Sequence, residues 1–322
     1  MLKLYFMKKE MSQIALGTWA WGAGAAGGDQ VFGNSTDINT LRPVFDAAML
    51  HGLNLWDTAT AYGMGASEDI LGTFAKTVRR DEIFLSTKFT PQIAQMYDNS
   101  VEKMADASLK RLGTDYIDVY WIHNPMDVER WTPGLIPLLK SGKIRQVGVS
   151  NHNIEEIKRA NEILKAAGDY RISAVQNHFS LLYRSSEKGG VLDYCKENGI
   201  KFWAYMVLEQ GALSGKYSKE NPLPAESARG QKYNPVLDKL QALTDAMKEI
   251  GSRYGISCSQ VGLAWALTKG TNPIIGATKE RHVVEAAGAA DIRLTAEEVT
   301  RLETLADATG VDTRGEWEHT ME

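Results

Sequence analysis

Short apolar runs alternate with amphipathic stretches along the whole chain. QIALGT, LNLWDT, EIFLSTK, YIDVYWIH, IRQVGVSN, ISAVQN, IKFWAYM and NPIIGAT are rich in β-branched and aromatic residues, and most are apolar throughout. Such runs fit strands covered on both faces, as in a parallel sheet. The stretches between them predict helices. DINTLRPVFDAAMLHG has helical spacing and closes on Gly52. SVEKMADASLKRLG places Ser100 at the N-cap, Glu102 in the first turn and Gly113 just past the end. NIEEIKRANEILKAAG and NPVLDKLQALTDAMKEIGSRYG follow the same pattern.

Eight such alternations, with no linker or low-complexity segment, predict one α/β domain over residues 1–322. Steady spacing favours a closed (β/α)8 TIM barrel over a doubly wound open sheet. The head, LKLYF…SQIAL, predicts an N-terminal β-hairpin under the barrel. The tail predicts extra C-terminal helix in TAEEVTRLETLADATG, with Thr295 as N-cap and Glu298 in the capping-box position. Two connections are long: the Gly/Ala-rich residues 19–36, and residues 206–235, which carry Pro222, Pro224, Arg229 and Gly230. Long connections in barrels are commonly functional.

Composition narrows the function. The chain has 322 residues and a formal charge of -4, with both signs mixed and no long basic block. Nucleic acid and anionic membrane are therefore not expected partners. Cys195 and Cys258 both fall in helix-like stretches and read as buried free thiols. No apolar run reaches the roughly 18 residues that would span a membrane. MLKLYFMKKEMSQ lacks the h-region of a signal peptide. A soluble, cytoplasmic protein is expected, with oligomeric state open.

In a parallel barrel the functional side chains gather at the C-terminal ends of the strands. Those ends read Asp57 (with Tyr62 just beyond), Lys88, His123, Ser150 and Asn151, Gln176, Tyr205 and, near the eighth, Thr278. Asp, Lys and His seldom end apolar strands without partners. Together the first four have a chemical logic. A phenol with a pKa near 10 is a poor proton shuttle at neutral pH. A nearby ammonium lowers that pKa, and a carboxylate keeps the ammonium charged and oriented. An imidazole binds a carbonyl oxygen, which completes a site for carbonyl reduction.

DTATAYG-x3-SE, STK, YIDVYWIHNP, GKIRQVGVSN, AVQN, GALSGKY and PIIGATK, in this order and spacing, resemble the aldo-keto reductases over nearly the whole chain. The resemblance implies an NAD(P)H-dependent reductase that acts on a small-molecule aldehyde or ketone, sugar-like ones included. Tyr62 matches the proton donor, Asp57 and Lys88 its tuning pair, and His123 the group that orients the carbonyl. Ser150, Asn151 and Gln176 match residues that hold the nicotinamide carboxamide, and Tyr205 the aromatic that stacks on the ring. Gly17, Thr18, Trp19, Gly276 and Glu285 fall at further implied cofactor contacts. Met206 stands where the family often has a Ser that reaches the pyrophosphate. Met206 cannot donate that bond, which leaves backbone N–H groups of Leu208, Gly211 and Leu213 for the phosphates. Thr278 and Lys279 lie where many members grip a 2′-phosphate. His282 and Ala286 depart from the usual Arg or Gln and Asn. NADP is the expected cofactor, with NAD as the alternative.

Gly22, Gly24 and Gly27 spell G-x-G-x-x-G, but helix signals resume only near Thr36, so a dinucleotide fingerprint is not expected. The segment reads instead as a loop beside the substrate, with Trp19, Trp21 and Phe32 as walls and Phe89 also assigned to the pocket. Trp317 in the tail DTRGEWEHTME is a candidate cover. His51, His152, His178 and His319 show no metal-ligand spacing, so no metal is expected. Two rivals use the same residues: a redox-neutral sugar oxidoreductase or epimerase that retains its cofactor, and a slow cofactor-binding regulatory subunit. A metal-dependent barrel hydrolase would need clustered His and Asp ligands, and one His stands at the strand ends.

Overall fold

The eight apolar runs become eight parallel strands that close a ring in chain order. They are β1 (Ala15–Gly17), β2 (Leu55–Asp57), β3 (Phe84–Phe89), β4 (Ile117–Ile122), β5 (Ile144–Ser150), β6 (Ile172–His178), β7 (Lys201–Tyr205) and β8 (Asn272–Gly276). The computed structural model describes residues 10–34, 36–318 and 321. Closure comes from β1, which pairs with β2 on one side and β8 on the other. Register then aligns the polar strand ends. Gly17 lies opposite Asp57, Asp57 opposite Ser86, Ser150 opposite Gln176, and His178 opposite Tyr205. One rim of the barrel thus collects the groups read from the sequence.

Two apolar cores hold the ring. Inside it, Ala15, Leu55, Val119, Trp121, Ala174, Trp203 and Ile274 fill the interior. Trp121 and Trp203 meet edge to face at 5.0 Å. Gly148 makes this possible: a Cβ there would sit 2.1 Å from the Trp121 ring. The larger core lies between strands and helices. The helices end where the sequence says they should. Asp37, Asn153, Ser257 and Thr295 form capping boxes, Ser100 caps the next helix start, and Gly113 and Gly255 close helices with left-handed φ. Ala296–Ala308 is the extra C-terminal helix. The first arm of the expected hairpin lies outside the described residues, and residues 10–14 carry no strand. One five-residue helix, Gly28–Phe32, was not legible and sits inside the long first connection. Both cysteines are buried and unpaired, and burial pushes their thiols up to about 12. Among the described residues no helix is long and apolar enough to cross a membrane.

Candidate active site

Strand alternation sets the floor of the site. Ser86 and Lys88 are two apart on β3 and share a face, so both reach Asp57 on β2. Lys88 Nζ donates to Asp57 Oδ2 at 2.5 Å and to the Thr58 carbonyl at 2.8 Å. Ser86 donates to Asp57 Oδ1, which also accepts from Gln176 Nε2 at 3.2 Å. Asp57 and Lys88 are essentially inaccessible to solvent. Tyr62 opens the short 3-10 turn that follows β2, and its hydroxyl lies 3.4 Å from Lys88 Nζ. His123, just past β4, meets the Tyr62 ring edge to face at 6.1 Å, and its Nδ1 lies 3.0 Å from the Thr90 hydroxyl. The four groups read from separate strand ends therefore share one place.

Electrostatics corrects one expectation. The Lys88 ammonium does draw the Tyr62 phenol down, but burial outweighs it and Asp57 adds to the rise, so the phenol sits above its ordinary pKa. Lys88 lies 3.4 Å from the Tyr62 hydroxyl and closer still to Asp57, and its pull on the phenol offsets burial only in part. Burial lowers the Lys88 pKa, yet Asp57 and Tyr62 more than offset this, so the amine stays charged. His123 is pushed down to about 3, first by burial and then by Lys88. At neutral pH the site therefore holds a protonated phenol, an ammonium and a neutral imidazole. If the Thr90 hydroxyl donates to Nδ1, the imidazole carries its hydrogen on Nε2.

A cleft of about 800 Å³ opens above this floor, lined by Asp57, Tyr62 and His123 among others. Of the residues assigned to cofactor, Gly17, Trp19, Ser150, Asn151, Gln176, Tyr205, Met206, Leu208, Gly211, Gly276, Thr278, Lys279, His282 and Glu285 line it. Phe32 lines it too, as does Trp317. Trp19 stacks on Tyr62 at 5.7 Å, which puts it on the substrate side, and meets Phe32 and Trp317 edge-on at 5.4 and 6.0 Å.

Five expectations fail on packing. Trp21 is fully buried in the shell, its indole N–H on the Ala277 carbonyl at 2.8 Å and its ring against Trp56 and Phe74. A turn between Thr18 and Trp21 sends Trp19 outward and Trp21 inward. Phe89 follows Lys88 and so faces the opposite way, against Trp131 at 5.0 Å. Thr18 is likewise buried, its hydroxyl accepting from Ser67 at 2.7 Å. Leu213 is buried, and its N–H, like that of Gly211, donates to the Leu208 carbonyl rather than into the cleft. These two N–H groups close the turn of the loop and are spent.

Other residues were missed. Arg229, Gln210, Lys216, Tyr217 and Arg281 also line the cleft, Arg229 with its guanidinium 5.7 Å from the Phe32 ring. The Arg229 Nε is buried without a partner, while its Nη1 holds the Gln210 carbonyl at 3.1 Å. With Lys279 at the N-cap of the Glu280–Ala289 helix, these residues give the cleft basic side chains in a chain of net negative charge. An orphaned guanidinium N–H and a helix N-terminus fit an anionic phosphate group. His282 is not one of the cations: burial first, then Arg281 and Lys279, lower it to about 4, and Nδ1 accepts from the Thr278 N–H at 3.3 Å. Among the described residues no group of three or more His, Cys, Asp or Glu could hold a metal; His319 lies outside them.

The Aldo/keto reductase family model matches residues 13–307. The chain is 33% identical to the chloroplastic pyridoxal reductase of Arabidopsis thaliana, over 92% of this chain and 83% of that one. It is 30% identical to the NADH-specific methylglyoxal reductase of Escherichia coli, over 92% and 95%. Among solved structures it resembles an aldo/keto reductase from Klebsiella pneumoniae in complex with NADP and acetate, with a TM-score of 0.68, 26% identity, and 96% and 95% of the two chains covered. The chain belongs to the aldo/keto reductase family, an NAD(P)-dependent oxidoreductase on a (β/α)8 barrel.

Proposed function

We propose that this aldo/keto reductase uses NADPH to reduce a small aldehyde or ketone to the alcohol, with Tyr62 as proton donor. The observation that carries this is the Tyr62 hydroxyl 3.4 Å from a Lys88 ammonium that is itself paired to Asp57 at 2.5 Å, on the floor of the cleft. The bound cofactor supplies the hydride. Ser150, Asn151 and Gln176 are the groups for its carboxamide, and Tyr205 the flat surface for its ring. Lys279, Arg281, Lys216 and Arg229 supply the positive charge for its phosphates, which supports NADP over NAD.

The chain's own groups then account for the proton. The substrate oxygen sits between the Tyr62 hydroxyl and the His123 imidazole. A neutral His123 N–H orients that oxygen without competing to protonate it. Tyr62, held above its ordinary pKa by burial, keeps its hydrogen until negative charge develops on the oxygen. Lys88 then stabilises the phenolate that remains, and Asp57 holds Lys88 in place. Trp19, Phe32 and Trp317 with Tyr62 make aromatic walls, which favours a substrate with a flat body over a flexible chain. Fluorescence titration with NADPH and NADH, followed by turnover on pyridoxal, methylglyoxal and an open-chain sugar aldehyde, tests the reading. NADPH binding and steady turnover, fastest on the ring aldehyde, is the expected result. Absence of NADPH oxidation with every carbonyl would refute it.

A further inference from the structure

The Tyr205 hydroxyl is claimed by two acceptors. Its oxygen lies 2.6 Å from Asn151 Oδ1 and 2.5 Å from Glu318 Oε1 in the C-terminal tail. A phenol has one hydrogen to give. Asn151 is turned with its Nδ2 donating to the His123 carbonyl at 3.0 Å, which commits Oδ1 to the Tyr205 side.

Glu318 is fixed from the other side. Its side chain is 1% exposed. It accepts from the Gly315 N–H at 3.0 Å and meets His178 Nδ1 at 3.1 Å. The second nitrogen of His178 lies 2.9 Å from Glu209 Oε1. Glu209 in turn accepts from Ser180, from Thr313 at 2.9 Å and from Tyr233 at 2.6 Å. An imidazole flanked by two buried carboxylates gives a hydrogen to each, and so carries a positive charge. Its ring is also sandwiched by Tyr183 at 4.4 Å and Tyr205 at 5.5 Å. This cluster ties the tail to the strand end that carries Tyr205. Trp317, the residue before Glu318, lines the cleft and points its indole N–H at the Tyr205 oxygen, 3.4 Å away.

We propose that Glu318 is a positioning residue for the nicotinamide carboxamide: its carboxylate captures the Tyr205 hydroxyl hydrogen and so leaves Asn151 Oδ1 as an open acceptor. The inference rests on the reading above, that the nicotinamide lies against Tyr205 and Asn151. A carboxylate is the stronger acceptor, so the hydrogen goes to Glu318 and not to the amide. Asn151 Oδ1 then faces a second oxygen with no hydrogen between them. An incoming carboxamide N–H relieves that conflict. If Glu318 is withdrawn, the hydroxyl turns to Asn151 and fills the acceptor that the carboxamide needs. The tail thereby joins the wall of the substrate cleft to the hydrogen bonding of the cofactor.

The test compares oxidised NADP with its 3-acetylpyridine analogue, in which a methyl ketone replaces the carboxamide and no N–H remains. Binding is read by quenching of tryptophan fluorescence in the full-length protein. Wild type should prefer NADP, and Glu318→Ala should weaken NADP about tenfold, the scale of one hydrogen bond to a bound ligand. The analogue should bind both forms within about twofold, so the preference collapses. In a Tyr205→Phe background Glu318→Ala should change the preference no further. Should Glu318→Ala not fold, Glu318→Gln replaces it: a neutral amide oxygen competes evenly with Asn151, and part of the preference is lost. Equal weakening of both ligands, an unchanged preference, or a full Glu318→Ala effect without the Tyr205 hydroxyl would each overturn the proposal. Failure of wild type to bind NADP at all would instead sink the functional reading beneath it.

Discussion

Replacing Lys88 with Met keeps most of the side chain's bulk and removes its charge. The ammonium stands 3.4 Å from the Tyr62 hydroxyl. At that separation a unit charge acts on a phenolate with about 5 kcal/mol if the effective dielectric constant is near 20, or roughly 3–4 pKa units. The Asp57 carboxylate left behind pushes the phenol in the same direction. Burial already holds Tyr62 above its ordinary range with Lys88 present, so the variant phenol should stay protonated through any usable pH. If about half of that change is felt at the transition state, proton donation slows roughly 30- to 100-fold. The reverse reaction is the sharper assay, because alcohol oxidation needs the phenolate. Its alkaline limb should move up by more than about two pH units, on the scale set by loss of a close charge.

Stability must be separated from chemistry in this variant. Lys88→Met strands a buried carboxylate, at a cost of about 3–5 kcal/mol. Asp57→Asn combined with Lys88→Met removes the stranded charge and should recover much of the melting temperature without recovering the rate. A folded Lys88→Met protein whose oxidation profile coincides with wild type would refute the assignment of Lys88 as the group that tunes Tyr62.

Tyr62→Phe should lose about 10²- to 10⁴-fold in carbonyl reduction, the usual worth of general acid catalysis, while NADPH titration stays close to wild type; wild-type-like turnover would end the donor assignment. His178 gives a pH dependence of stability. Burial opposes its charge, but Glu209 and Glu318 raise it to about 9 in the folded protein, against 6.5 unfolded. Its contribution is therefore complete below about pH 6.5 and is lost as pH rises through 9, by roughly 3 kcal/mol on the linkage relation. Thermal melts from pH 6 to 10 should show that loss, and His178→Gln, with lower stability throughout, should flatten it. Tyr183, Tyr205 and Tyr233 also surround this cluster, and burial holds each above its ordinary pKa, Tyr205 and Tyr233 well above it. Lys279→Ala should raise the KM for NADPH about tenfold and leave NADH nearly unchanged, as expected for one charge-assisted contact to a 2′-phosphate; parallel losses for both would remove Lys279 from cofactor choice.

What the sequence made legible follows from locality. Each strand announced itself within seven or eight residues, and parallel strands put their polar ends on one rim, so Asp57, Lys88 and His123 were readable before any contact was known. Capping residues such as Ser100 and Thr295 were readable for the same reason: their partners are three positions away. The errors arise where direction matters more than position. Trp19 and Trp21 look alike in sequence, and only the turn between them decides that one faces the cleft and the other the shell. Phe89 stands beside Lys88, but strand alternation turns it away from the site. The tuning of Tyr62 failed in sign because burial, the largest influence on the phenol, is not written in the spacing of Asp57, Tyr62 and Lys88.

The groups that sequence reasoning missed altogether have long-range partners. His178, Glu209 and Glu318 come from the end of a strand, the loop after the next strand, and the tail, and none has a local pattern that marks it. One signal was present. His178 ends β6 two residues after Gln176, on the same face, and an imidazole at that position needs a buried partner. Nothing in the spacing says that the partners are two carboxylates, one of them 140 residues away. Yet the polar balance of the site turns on them. Without Glu318 the Tyr205 hydroxyl has Asn151 as its acceptor; with it, that acceptor is released. The four residues proposed to carry the chemistry are thus readable from strand ends, while the proposed acceptor of the Tyr205 hydrogen, Glu318, lies in the tail, where no local pattern marks it.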